Sequence, residues 1–92
     1  MFFITCFESL SGDSRKRIVG FVTDPKVAEE CLRNNNMDIH ESIYDYAVIE
    51  RMYEGFYPFT DFRKFYKWNE NECGYREIPE PTEMHGVCNI AF

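Results

Sequence analysis

The groups of this 92-residue chain that can do acid–base, nucleophilic or metal chemistry are two histidines, four cysteines and sixteen carboxylates. His40 lies in the polar stretch Asn36-Met37-Asp38-Ile39-His40-Glu41-Ser42, which reads as a loop, and His85 lies in the turn Glu83-Met84-His85-Gly86. A nucleophilic triad needs a histidine beside an activated nucleophile, and no serine sits in a G-x-S-x-G elbow. The five glycines, at 12, 20, 55, 74 and 86, are too scattered to cradle a phosphate. Cys6, Cys31, Cys73 and Cys88 are separated by 25, 42 and 15 residues, so there is no C-x-x-C pair. Cys6 and Cys31 stand among apolar residues and read as small core side chains. Cys73, His85 and Cys88 come nearest to a ligand set, but their spacing matches no zinc finger or ribbon, and neither a metal nor a cofactor is expected. Glu70, Glu72, Glu77, Glu80 and Glu83 are dense. They fall in a turn, a strand end and a Pro-rich loop, where charge is solvated. A catalytic carboxylate needs a dry or coupled site to move its proton affinity. The expectation is a protein that is not an enzyme.

Binding chemistry is better represented. Arg15-Lys16-Arg17 places three adjacent cations where a phosphate or an acidic patch can be met, or where they simply keep a hairpin tip soluble. Phe56-Tyr57-Pro58-Phe59 followed by Phe62-Arg63-Lys64-Phe65-Tyr66-Lys67-Trp68 interleaves aromatics with cations. Such a pattern can stack bases and touch phosphates, and it can equally fill the core of a small domain. Two binding readings follow. In one, Glu70, Glu72, Glu77, Glu80 and Glu83 face a cationic surface on a partner protein. In the other, Tyr57, Tyr66 and Trp68 stack a nucleotide base while Arg15, Lys16, Arg17 or Lys67 holds its phosphate. Ten Lys and Arg against sixteen Asp and Glu give a net charge of −6, which disfavours nonspecific nucleic-acid binding.

These residues must be positioned by one domain spanning 1–92, since the length supports no second. Area scaling gives roughly 5,600 Å² of folded surface, enough burial to fold without staples. Aromatics at 17% of the chain argue against disorder. No apolar run reaches the ~20 residues that a bilayer requires, so no membrane partner is expected. Met1-Phe2-Phe3-Ile4-Thr5-Cys6-Phe7-Glu8 lacks the basic start of a secretory leader, and a reducing cytoplasm is the expected location.

Phe2 to Phe7 reads as a first strand, Ser9 to Ser14 as a turn, and Ile18 to Val22 as the returning strand of a hairpin. Asp24 then caps a helix with Pro25 at its first position, spanning about residues 25–34. Val27, Ala28, Cys31 and Leu32 share its apolar face, and Asn34-Asn35-Asn36 ends it. Tyr46 to Met52 reads as a third strand, with Tyr46, Val48, Glu50 and Met52 on one face and Ala47, Ile49, Arg51 and Tyr53 on the other. Phe62 to Trp68 and Tyr75 to Ile78 form a second hairpin around Asn69–Gly74, ended by Pro79-Glu80-Pro81. Val87 to Phe92 reads as a last short strand. Within the second hairpin, Phe62, Lys64, Tyr66 and Trp68 should pack toward the helix bearing Val27, Cys31 and Leu32, leaving Arg63 and Lys67 in solvent. The sum is an α+β domain: a mostly antiparallel sheet of four to six strands with one helix on one face. An exposed edge strand can also pair with a second copy, so a structural or regulatory homodimer is the third expectation.

Tyr46-Ala47-Val48-Ile49-Glu50, Glu54-Gly55-Phe56-Tyr57-Pro58, Phe65-Tyr66-Lys67-Trp68-Asn69, Gly74-Tyr75, Pro81 and Asn89-Ile90-Ala91-Phe92 form a pattern of aromatic spacing over the C-terminal half. It resembles short proteins encoded by phages, prophages and mobile elements of Gram-positive bacteria. The pattern carries no catalytic residues, so the resemblance transfers no site. It implies a setting in the host bacterial cytoplasm and an inhibitor of a host factor, such as an anti-CRISPR-like protein acting on a nucleic-acid-handling defence protein, or a sponge for a signalling nucleotide.

Overall fold

A computed structural model describes residues 1–11, 14–41, 43–55, 60–87 and 89–91. Five strands, β1 (Phe2–Phe7), β2 (Lys16–Val22), β3 (Tyr46–Arg51), β4 (Arg63–Asn69) and β5 (Gly74–Ile78), form one sheet in the order β2-β1-β3-β4-β5. Every neighbouring pair is antiparallel. One helix, α1 (Pro25–Arg33), packs on one face, so the α+β class holds. The surface area is 5840 Å², close to the value that chain mass alone implies.

The helix forms as its sequence dictates. The Asp24 side chain accepts from the Lys26 N–H at 2.9 Å, Pro25 opens the helix, and the Asn34 N–H closes it on the Glu30 carbonyl at 2.9 Å. Ala28 and Leu32 are buried against Ile4, Cys6, Ala47, Ile49, Tyr66 and Tyr75. Val27 departs from expectation. It is exposed, because the sheet lies under the Ala28–Leu32 line and Val27 is displaced by one position around the helix.

The opposite face has its own core, in which Phe7, Val48 and Phe65 pack with Met84 and Ile90. The last expected strand, Val87 to Phe92, is corrected here. Among the described residues no strand follows Ile78, and Thr82–Met84 is a short 3-10 turn leading into an irregular segment. Cys88 and Phe92 lie outside the described residues. The main-chain N–H groups of Ile90 and Ala91 bond to a carboxylate instead of a neighbouring strand.

The second hairpin takes the expected orientation. Tyr66 and Trp68 pack on the helix face. Trp68 contacts the segment after the helix, stacking on His40 at 3.8 Å between ring centroids and meeting Tyr75 edge-on at 5.3 Å. Lys67 is exposed, as expected. Arg63 is not in solvent: its side chain is 12% exposed, because the C-terminal segment covers it. Gly74 lies against the end of α1, where a Cβ would stand 1.9 Å from the Arg33 carbonyl oxygen.

Strand β2 carries a bulge. Phe3 faces Phe21, Ile4 faces Gly20 and Thr5 faces Ile18, so Val19 is the extra residue. Val19 packs with the helix-side core, and Gly20 lies opposite Ile4 of that core. Ile18 and Phe21, opposite Thr5 and Phe3, therefore share the other face although they are three positions apart.

Candidate functional site

All five carboxylates expected to meet a partner are exposed and follow the outer margin of the sheet at β5. Glu70 and Glu72 lie in the turn before β5, Glu77 in the strand, and Glu80 and Glu83 in the loop after it. They are strung along this edge and do not converge on one point. Glu70 accepts the Trp68 indole N–H at 2.6 Å, and Glu72 is paired with Arg76. Glu80 accepts from Arg63, with His85 Nε2 at 3.5 Å. Glu77 and Glu83 accept no hydrogen bond among the described residues.

The three cations lie at the other margin. Arg15 precedes β2, and Lys16 and Arg17 belong to it, where a loop was expected to hold them. Each is engaged. Arg15 pairs with Glu8 at 2.7 Å, Lys16 Nζ donates to the Ile90 carbonyl at 2.9 Å, and Arg17 pairs with Glu41.

The residues expected to hold a nucleotide are not brought together. Tyr57 lies outside the described residues. Tyr66 is buried in the helix-side core, with its hydroxyl donating to Glu29 at 2.9 Å, so neither ring face is open for stacking. Burial and the Glu29 carboxylate both raise the proton affinity of that phenol. Lys67 stands over the Tyr46 ring at 5.8 Å. Lys16 and Lys67 do fall in one cross-strand row, Lys16–Phe7–Tyr46–Lys67. Three inter-strand steps place them ~14 Å apart, with the stacked Phe7 and Tyr46 rings between them.

Sequence reasoning missed Glu50. It is fully buried in β3, and its carboxylate accepts the Ile90 N–H at 2.8 Å and the Ala91 N–H at 3.0 Å. Burial raises its proton affinity. The two N–H donors and the charges of Arg63 and Lys16 oppose that rise. Arg63 completes the arrangement by donating to the carbonyls of Val87 at 2.6 Å and Met84 at 3.3 Å. The signal for Glu50 was a lone acid on a strand face that otherwise carries Tyr46, Val48 and Met52. With its oxygens accepting from main-chain donors, Glu50 fastens the C-terminal segment to β3.

Other reactive groups are likewise held by the fold. Burial pushes the Cys6 thiol up to about 11, so it remains a thiol at neutral pH. His40 has its Nε2 buried without a hydrogen bond, 3.8 Å from Asp45 Oδ1. His85 is far along the chain, in the turn beside Glu80. Among the described residues no helix is long and apolar enough to cross a membrane. No protein-family model, no curated protein and no solved structure matches this chain.

Proposed function

We propose that the chain is a non-enzymatic binding protein whose acidic β5 margin engages a partner protein with a cationic surface. One observation carries this reading: the strand order separates the charges. Arg15, Lys16 and Arg17 are at the β2 margin, and Glu70, Glu72, Glu77, Glu80 and Glu83 are at the β5 margin, with β1, β3 and β4 between them. Arg63 and Arg76 offset part of the acidic margin, and Glu77 and Glu83 are left without a hydrogen-bonded partner among the described residues. Such a margin speeds encounter with a cationic surface and rejects acidic ones. A surface that holds nucleic acid has the required charge. The resemblance to phage and mobile-element proteins then makes a host defence protein the natural target, with the chain occupying the groove in place of phosphates.

The test is capture from a nuclease-treated lysate of a Gram-positive bacterium on the immobilised chain. A second column carries a variant with all five carboxylates changed to Gln. Proteins held by the wild type should elute as NaCl rises to about 0.5 M and should be missing from the variant column. The same proteins on both columns, or retention indifferent to salt, would overturn the reading.

A further inference from the structure

The β2 margin of the sheet has a different use. We propose that β2 is the contact between two copies of this chain, which pair antiparallel along it into one continuous ten-stranded sheet. Strand β2 is bonded to β1 on one side, and among the described residues no strand pairs along its other side. The main-chain groups of that side form a ready template for another strand. Beside them stand Phe21, 61% exposed, and Ile18, 41% exposed, on the same sheet face.

The bulge selects the occupant. A regular strand alternates faces at every residue, so it stays in phase with β2 on one side of Val19–Gly20 and falls out of phase on the other. A second copy carries the same interruption. In the register that sets Val19 opposite Gly20 of the partner copy, the two bulges coincide and the faces match along the whole strand. Ile18 then lies opposite the other copy's Phe21, and this pair occurs twice about the two-fold axis. Four side chains exposed in the single chain cover one another, as aromatic and β-branched cross-strand pairs do.

Charge fits the same register. Arg17 then lies opposite Val22 of the other copy, the last residue of β2, and Lys16 comes level with the chain just beyond it, towards Asp24. The cations of the two copies are thus held at opposite ends of the contact, each end next to an acid. The acidic β5 margins stay at the two far ends, where their mutual repulsion is weakest. Such a dimer presents two identical acidic margins, which raises avidity for any partner with repeated cationic sites.

Sedimentation equilibrium over about 1–200 µM tests this directly. The wild type should approach twice the 11.0 kDa chain mass. Phe21→Lys, at an exposed position, should remain at the monomer mass, with its far-UV circular dichroism unchanged. The register has its own readout. An Ile18→Cys/Phe21→Cys double variant should oxidise to a covalent dimer through 18-to-21 bridges mapped by mass spectrometry. A wild type that stays at the monomer mass overturns the proposal. So does a dimer that survives Phe21→Lys, or bridges that join other positions.

Discussion

Trp68 is the one tryptophan, and its environment sets what its loss should do. It is half-buried, stacked on His40 and edge-on to Tyr75, and its indole N–H is bonded to Glu70. Complete burial of such a ring would make truncation cost roughly 3–5 kcal/mol. With part of the ring in water, Trp68→Ala should cost about 2–3 kcal/mol in urea unfolding and leave the fold intact. Glu50 makes the opposite case, an ionisable group without exposure. Glu50→Ala would strand two main-chain N–H groups beneath the C-terminal segment, at about 2–3 kcal/mol. Amide exchange at Ile90 and Ala91 should then accelerate first. The sign of its pH effect follows from linkage. Its proton affinity is higher in the folded chain than in the unfolded one, so the folded chain binds more protons between the ordinary carboxylate value and the raised one. Its contribution is therefore greatest in acid and diminishes as pH rises through that window. Between about pH 4 and pH 7 the wild type should gain less stability than Glu50→Gln.

At the level of elements, one carboxylate of α1 holds two side chains of β4. Glu29 accepts from Lys64 Nζ and from the Tyr66 hydroxyl, both at 2.9 Å. These bonds lower its proton affinity in the folded chain. The tie is therefore fully present above the unfolded carboxylate value and is lost as pH falls through the lower, folded one. Between about pH 6 and pH 3 the wild type should lose more stability than Glu29→Gln, measured by urea unfolding at each pH. Element by element, the sequence was legible where local chemistry decides. Asp24-Pro25 starts the helix, Asn34-Asn35 ends it, and the apolar runs at Phe2–Phe7 and Tyr46–Arg51 became the central strands. It was illegible where a distant main chain decides. Val87–Phe92 has the composition of a strand, yet two of its N–H groups find Glu50 some forty residues earlier. Lys16 and Arg17 read as loop cations because they are charged, yet β2 runs on past its apolar part to pair them with Phe7 and Cys6 of β1. The acidic residues were recognisable as a group. Their position along one margin, opposite the cations, follows from strand order, which no local pattern encodes.

At the scale of the whole molecule, that separation of charge has a cost in stability that salt should reveal. Within a net charge of −6, the five carboxylates along the β5 margin are only partly offset by Arg63 and Arg76, and at low ionic strength their mutual repulsion reaches along the whole margin. The Debye length is about 30 Å at 0.01 M salt and about 10 Å at 0.1 M, against a longest molecular dimension of 37 Å. Glu70, Glu77 and Glu83 can be changed to Gln without removing an ion pair, since none of the three is in one among the described residues. The substitution takes the net charge from −6 to −3. After Glu70→Gln, the side-chain amide carbonyl would still accept the Trp68 indole N–H. The melting temperature of the wild type should rise as NaCl goes from about 10 mM to about 500 mM, and that of the triple variant should rise by less. At about 10 mM the variant should melt above the wild type, and the two should converge at high salt. Parallel curves with a constant offset would instead place the effect in local packing and remove the acidic margin from the electrostatics of the fold.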